Sequence, residues 1–262
     1  MTLPKISIIT ICYNSEKTLA EAIESVLAQD YPALELIIID GGSTDGSLDI
    51  INRYRQQIAV VVSEKDKGIS DAFNKGIHQA SGELIGILNS DDIMLPGALH
   101  HIAEQYDGAT DVYRGNMLLW NADTGLKVIE KPSLRFPRIP FIIHVCHGGT
   151  FITREAYRKH GGYDIQMKYM MDLDLLTRFY NQGLRFKHID AEIEAFRIGG
   201  VTNSPLRAKR EEIRYFILKN GGNKIQYYIY YTALWMQDAL KRLLNLFGED
   251  FKRKLRYRHQ SA

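Results

Sequence analysis

Apolar residues in the first ninety positions come in short runs that break off abruptly into polar residues. Ile6 to Ile11, Leu36 to Ile39, Val60 to Ser63 and Leu84 to Leu88 are such runs, rich in isoleucine and valine. Runs of this length without polar alternation read as strands buried on both faces. The stretches between them carry helical spacing. Ser15-Glu16-Lys17-Thr18 opens one helix with Leu19, Ile23, Val26 and Leu27 on one side, and Thr44-Asp45-Gly46-Ser47 opens a second from Leu48 to about Tyr54. A third runs from Ser70 to Ala80. Strand, helix and strand in alternation predict βαβ units and a largely parallel sheet. Further along, a helix is expected from about Pro96 to Tyr106, strands at 111–117 and 127–129, a proline-bearing loop from Pro132 to Pro140, a short strand at 150–152, and helices at 154–160 and 170–181. The remainder reads as a helical tail.

The residues on which the strands end suggest chemistry. The first run leads into Cys12-Tyr13-Asn14-Ser15, the second into Asp40-Gly41-Gly42-Ser43, and the fourth into Asn89-Ser90-Asp91-Asp92. In a parallel sheet the carboxyl ends of strands share an edge, and ligands bind there. Two adjacent carboxylates at such an edge suit a hard cation, Mg²⁺ or Mn²⁺, with phosphate oxygens on its remaining positions. The plain alternative is a polar turn in which Asp92 caps the next helix.

Composition narrows the class. The 262 residues allow one large α/β domain with a tail, or two small domains. Cys12 and Cys146 form no disulfide framework or metal-ligand spacing. Reduced thiols fit a cytosolic setting, and neither a leader-like segment nor an apolar run long enough to span a bilayer is evident. No Gly-x-Gly-x-x-Gly follows a strand, which argues against a dinucleotide-dependent dehydrogenase. A nucleotidyltransferase making an activated sugar is a rival reading. Such enzymes usually carry a glycine-rich basic loop after strand one, and Cys12 to Lys17 contains no glycine. A catalytically degenerate nucleotide-sugar-binding module is the non-enzymatic rival.

Taken together, four segments resemble the family 2 glycosyltransferases. They are Ser7 to Asn14, Ile38 to Ser47, Asp66 to Gly76 (DKGISDAFNKG) and Leu88 to Asp92. The resemblance implies the GT-A fold: a Rossmann-like, mixed but mainly parallel sheet flanked by helices, here over residues 1–205, with residues 206–262 as a helical, basic tail. It implies an inverting, metal-dependent hexosyl- or N-acetylhexosaminyltransferase using a nucleotide-diphospho-sugar, with UDP as the expected carrier. The motif variants look most like enzymes of bacterial O-antigen, capsule or exopolysaccharide synthesis, whose saccharide acceptors are often linked to polyprenyl diphosphate. Carried over by position, Asp40 accepts a hydrogen bond from the base, and Thr10, Tyr13 and Asn14 surround the nucleoside. Asp71, Asn74, Lys75 and Ser90 lie along the nucleotide. Asp91 and Asp92 hold Mn²⁺ or Mg²⁺, with Asn89 standing where many members have an aspartate. Asp172 in Met170-Met171-Asp172-Leu173-Asp174 falls on the position of the catalytic base, with Met171 replacing the usual glutamate. Asp174 and Arg178 read as a structural i,i+4 pair. His147 and Arg197 are expected at the donor or acceptor pocket, with Gly199 to Thr202 as a closing loop.

The tail is charged unevenly. Lys241, Arg242, Lys252, Arg253, Lys254, Arg256 and Arg258 face only Glu249 and Asp250, and the aromatic stretch Tyr227 to Trp235 precedes them. Rings followed by cations suit a lipid interface. This predicts a cytoplasmic protein held peripherally at the inner face of the cytoplasmic membrane. Packing of the tail against the core or against a second copy in a homo-oligomer is the alternative. Nucleic acid is a poor partner, because no recognition motif accompanies the basic segment.

Overall fold

A computed structural model describes residues 3–121, 125–136, 147–197 and 206–246. The predicted alternation is present: β1 (Ile6–Cys12), α1 (Leu19–Leu27), β2 (Leu34–Asp40), α2 (Ser47–Arg53), β3 (Val60–Ser63), α3 (Ile69–Gln79) and β4 (Leu84–Asn89). Then come β5 (Ile93–Met94), α4 (Ala98–Gln105), β6 (Val112–Trp120), β7 (Lys127–Glu130), β8 (Thr150–Thr153), α5 (Arg154–His160), α6 (Met171–Asn181), β9 (Phe186–Arg197), α7 (Leu206–Lys219) and α8 (Lys224–Leu246). Chain contacts divide it into two compact units, residues 1–137 with 144–202, and residues 138–143 with 203–262.

The first unit is built on one mixed sheet of order β3-β2-β1-β4-β8-β6-β9-β5, with β7 paired to β6. The first four strands are mutually parallel, and Cys12 lies opposite Asp40 while Ile11 lies opposite Asn89. That register brings the carboxyl ends of β1, β2 and β4 to a common edge. Both faces of these strands are covered, which explains their unbroken apolar runs. Ile6, Ile8, Leu36 and Ile38 pack with Leu19, Ile23 and Val26 of α1, Ile50 and Ile51 of α2, and Leu99 and Ile102 of α4. On the opposite face α3 approaches β1 so closely that a Cβ at Gly76 would strike Ile9.

Two elements differ from the sequence reading. A two-residue strand, β5, follows the Asp91-Asp92 turn. Residues 186–197, read as part of the tail, form the long strand β9, parallel to β6 and antiparallel to β5. The predicted loop holds over 132–136; its continuation to Pro140, Cys146, the 199–202 segment and the basic residues beyond 246 lie outside the described residues.

The second unit's described part is a helical hairpin. Ile213, Phe216 and Ile217 of α7 and Tyr227 and Tyr230 of α8 are buried, and Arg210 Nε donates to the Tyr227 hydroxyl at 3.1 Å.

Candidate active site

Three strand-end loops are laced together. The Asn14 amide donates to Ser43 Oγ at 2.9 Å, and Asn14 Oδ1 accepts from the Thr44 amide at 2.8 Å. Asn14 takes a left-handed conformation (φ 51°), which asparagine tolerates better than most residues. The Ser15 amide donates to Ser47 Oγ at 2.8 Å, and Ser15 Oγ meets Ser90 Oγ at 2.8 Å, tying the β1 loop to the β4 loop. Tyr13 stands outside this lacing, 63% exposed at the tip of the β1 loop.

Asp40 is fully buried, and its carboxylate organises its own loop. It accepts from Ser63 Oγ at 2.7 Å and from the Gly42 and Ser43 amides at 3.2 Å. The carboxylate expected to accept a hydrogen bond from the base is thus held by its own loop and by Ser63. Thr10 is also fully buried, and its hydroxyl has no partner among the described residues. A carboxylate that the sequence reading passed over stands nearer the opening. Asp66 reaches over Gly41, and a Cβ at position 41 would collide with Asp66 Oδ2. Glycine there leaves room for a second carboxylate beside the β2 loop.

The α3 residues divide. Asp71 accepts from the Lys67 amide at 3.0 Å, and Lys75 pairs with Glu64 at 2.8 Å and Asp71 at 3.5 Å. Asn74 is a strut: its side chain exchanges two 2.8 Å hydrogen bonds with the backbone of Tyr163. Ser70 Oγ, which donates to the Met167 carbonyl at 2.6 Å, does the same. Together they fix the loop leading into α6, where Asp172 sits. Asn74, expected along the nucleotide, is in the structure a positioning group for that loop.

The β4 loop splits the expected carboxylate pair. Asp92 is buried; one oxygen accepts from the Arg197 amide and the other from Asn89 Nδ2, both at 3.0 Å. Asp91 is half-buried. Asn89 Oδ1 is buried with no partner among the described residues. A neutral oxygen at 89 and a carboxylate at 91 are donors of the hard kind that Mg²⁺ and Mn²⁺ prefer. The residues fit a cation held by Asn89 and Asp91, with Asp92 acting behind them as an anchor. Among the described residues no group of three or more His, Cys, Asp or Glu has metal-holding geometry. A diphosphate and water would have to complete the coordination.

Behind the β4 loop lies a buried cluster of ionisable groups. Asp172, in the first turn of α6, accepts from His147 twice: from the backbone amide at 3.2 Å, with ring Nδ1 3.0 Å from Oδ1. The helix N-terminus also favours its charge. His147 is buried edge-on against Phe73, with ring centroids 5.0 Å apart, and its Nε2 has no partner. Burial alone would lower the imidazole's pKa. The Asp172 carboxylate overrides this and holds it at about 9. His147 therefore braces Asp172 from within, and the two line one small cavity with Tyr157 and Tyr163. Glu194, on β9, is buried as well. One oxygen accepts from the Gly149 amide at 3.0 Å and the other is unpartnered. Burial, with Asp92 nearby, pushes it up to about 8. Asp92 is raised to about 7, by burial and by Asp91.

Arg197 is engaged rather than free for phosphate. Its Nη2 donates to Glu21 at 2.7 Å, and its guanidinium lies 5.0 Å from the Trp120 ring centroid. Asp174 is buried, and Arg178 Nε stands 3.6 Å from it, the structural pair expected. Glu194 escaped the sequence reading because β9 did. The signal was the alternation Ile189, Ala191, Ile193, Ala195, which marks a strand; nothing in it marks position 194 as buried.

Comparisons with known proteins agree with this architecture. Residues 7–161 match the profile described as Glycosyl transferase family 2. A Bacillus subtilis (strain 168) chain named as glycosyltransferase EpsE is 32% identical over 198 residues, covering 70% of this chain and 69% of that one. A PGL/p-HBAD biosynthesis glycosyltransferase of Mycobacterium bovis is 24% identical over 212 residues, covering 78% and 81%. Among solved structures, residues 1–349 of S. aureus TarS in complex with UDP-GlcNAc superpose with a TM-score of 0.66 at 22% identity, over 82% of this chain and 66% of that one. The mannosyltransferase PcManGT of Pyrobaculum calidifontis, in complex with GDP-Man and Mn²⁺, gives 0.62 at 17% identity, over 89% and 69%. These likenesses show the GT-A fold. With its four motifs on one sheet edge and the family profile matched over more than half its length, the chain belongs to glycosyl transferase family 2.

Proposed function

We propose that this glycosyltransferase moves a sugar from a UDP-sugar to a saccharide acceptor carried on a polyprenyl diphosphate, with inversion, in the synthesis of a bacterial surface polysaccharide. The observation that carries the chemistry is Asp172. It is one carboxylate, partly open at the surface, fixed by two contacts to His147 and backed by a helix N-terminus. A single oriented carboxylate suits removal of a proton from an acceptor hydroxyl as that oxygen attacks the anomeric carbon. Attack from the face opposite the diphosphate is one displacement and inverts the configuration. Mn²⁺ or Mg²⁺, when bound, neutralises charge growing on the leaving diphosphate. Asn89 and Asp91 are the residues that would hold it. Tyr13 offers its ring to the base, Asp66 a carboxylate beside it, and Asp71 with Lys75 borders the ribose and diphosphate.

UDP as carrier is supported by a structural neighbour bound to UDP-GlcNAc. A role in surface polysaccharide is supported by the motif variants. The deciding assay offers a panel of nucleotide sugars with and without Mn²⁺ and reads nucleotide diphosphate release. A UDP-sugar should turn over, Asp91→Ala should lose the metal dependence, and the product should carry inverted configuration. Pyrophosphate released from a nucleoside triphosphate would favour the nucleotidyltransferase reading. Binding without turnover would favour a silent binder.

A further inference from the structure

Helix α8 is turned inside out for a helix in water. Ile225, Tyr228, Ile229, Trp235, Met236 and Leu240 are each more than half exposed. They recur at helical spacing and, with Thr232 between them, form one stripe. From 225 to 240 it runs roughly 22 Å at 1.5 Å per residue. Apart from Lys224 at its start, no charged side chain interrupts it. An apolar strip of this size is unusual on a soluble surface and marks something that covers it.

The charges beside it indicate what. A cleft of about 570 Å³ between α7 and α8 opens at the stripe's margin, lined by Arg207, Arg210, Tyr231, Trp235 and Asp238 among others. Arg210 lies over the Tyr231 ring, 5.9 Å from its centroid. The chain then continues into the segment from Lys241 to Ala262, with seven Lys or Arg against two acidic residues. A second copy of the helix would cover the stripe and leave this excess of positive charge facing itself. An anionic bilayer answers both features: acyl chains take the apolar face, and headgroup phosphates meet the guanidiniums. Among the described residues no helix is long and apolar enough to cross a membrane. The geometry is that of a helix lying in the interface plane.

We propose that α8 lies with its exposed face, Ile225 to Leu240, in the headgroup layer of an anionic membrane, with Arg207 and Arg210 contacting lipid phosphate. The proposal deepens the reading of a lipid-linked acceptor but does not depend on the transfer chemistry, and its test uses no sugar. The full chain is floated with phosphatidylcholine vesicles and with vesicles that also contain phosphatidylglycerol. Binding should favour the anionic vesicles and weaken with salt. Ile229→Glu with Trp235→Glu should reduce it at least about tenfold, and Arg207→Gln with Arg210→Gln should reduce the preference for phosphatidylglycerol. UDP binding should be retained in every variant, which separates a lost surface from a lost fold. In a Trp120→Phe background Trp235 is the sole tryptophan, and its emission should shift to the blue on adding anionic vesicles. The proposal is overturned if the wild type binds neither vesicle, if binding survives the Ile229 and Trp235 changes, or if Trp235 emission does not move. A stable dimer that the same two changes dissociate, with no vesicle binding, would assign the stripe to a second copy instead.

Discussion

In the loops after β1 and β2 almost every polar group finds a partner. Asn14, Ser15, Asp40, Ser43 and Ser47 exchange hydrogen bonds with one another's loops, and Asp40 alone accepts from four residues, Cys12, Gly42, Ser43 and Ser63. Around His147 the pattern reverses. Six buried side-chain atoms lack a partner among the described residues, and four of them are Asn89 Oδ1, His147 Nε2, Glu194 Oε1 and Arg197 Nε, around the β4 loop and the cluster behind it. Buried unsatisfied groups are costly and rare, so their concentration in one place needs a reason. The first region is finished as a scaffold and can hold a ligand equally in ground and transition states. Among the described residues the second leaves its polar groups unmet, and it is where the proposed function puts metal, diphosphate and acceptor.

The largest effect that divides the regions is expected at Asp172. Asp172→Asn keeps the shape and the contact with His147 but removes the proton acceptor, so kcat should fall about 10²–10⁴-fold. Calorimetry with UDP and Mn²⁺ should show donor-site affinity nearly unchanged. Near-normal turnover would move the base elsewhere, and a product of retained configuration would remove single displacement altogether.

A smaller effect is expected one step back, at His147. Its Nδ1 and backbone amide hold Asp172, so it acts as a positioning residue. Partners of this kind typically contribute about 10–100-fold to activity. His147→Ala should lower kcat by about that factor with little change in KM for the donor. His147→Asn places an N–H donor near the former Nδ1 and should recover much of the loss. Equal loss in both variants, with equal loss of thermal stability, would reduce His147 to a packing residue beside Phe73.

The first region was largely legible in the sequence because its strands are buried on both faces and end in Asp, Asn and Ser. Apolar runs, their polar ends and the helices between them lie close together along the chain. The second region was legible only in part. Asp172 and His147 were found by position in the family pattern, but their contact joins residues 25 apart through two different elements. β9 was missed because Asp190, Glu192 and Glu194 made the segment read as part of the polar tail. The structure buries Glu194 beside Asp92, a register that pairing with β5 and β6 decides. Asp40 shows the converse: its strand-end position was read correctly, but sequence could not reveal that Ser63 and its own loop would occupy its oxygens.

Titration should set the His147 cluster apart from the opposite edge of the sheet, at opposite ends of the pH scale. His147 and Glu194 have folded pKa values of about 9 and about 8, raised from 6.5 and 4.5. Raised groups favour folding at low pH and lose that contribution as pH rises through the folded value. Melting temperature should therefore decline from about pH 4.5 to about 9, through Glu194 first and His147 above about 6.5, and Glu194→Gln or His147→Asn should flatten the decline. At the other edge of the sheet, where β1 and β2 begin, Glu35 behaves oppositely. Burial would raise it, but Lys5, Ser7 and Ser81 hold it at about 2, below its usual 4.5. Its contribution is present above 4.5 and lost as pH falls toward about 2, and Glu35→Gln should blunt only that acid limb. Alkaline melting unaffected by either cluster variant would show that the buried groups are paired in ways that do not favour the proton.

The mildest test asks whether the lacing of the first region serves binding alone. Ser15 Oγ and Ser90 Oγ share one hydrogen bond at 2.8 Å, the direct tie between the β1 and β4 loops. Both groups are partly buried, so the net contribution of the bond should be about 1 kcal/mol, or roughly a fivefold loss of UDP affinity if the loops must be joined to receive it. Ser15→Ala and Ser90→Ala cut the same bond. Each should therefore weaken UDP by a similar factor, and the double variant should weaken it little further, which is the mark of two residues acting through one contact. At saturating donor kcat should stay near wild type, because a tie that holds the scaffold acts on ground and transition states alike. A fall in kcat without loss of affinity would place Ser90 with the unsatisfied cluster. The boundary between the two regions would then run through the β4 loop at Ser90 and not at Asn89.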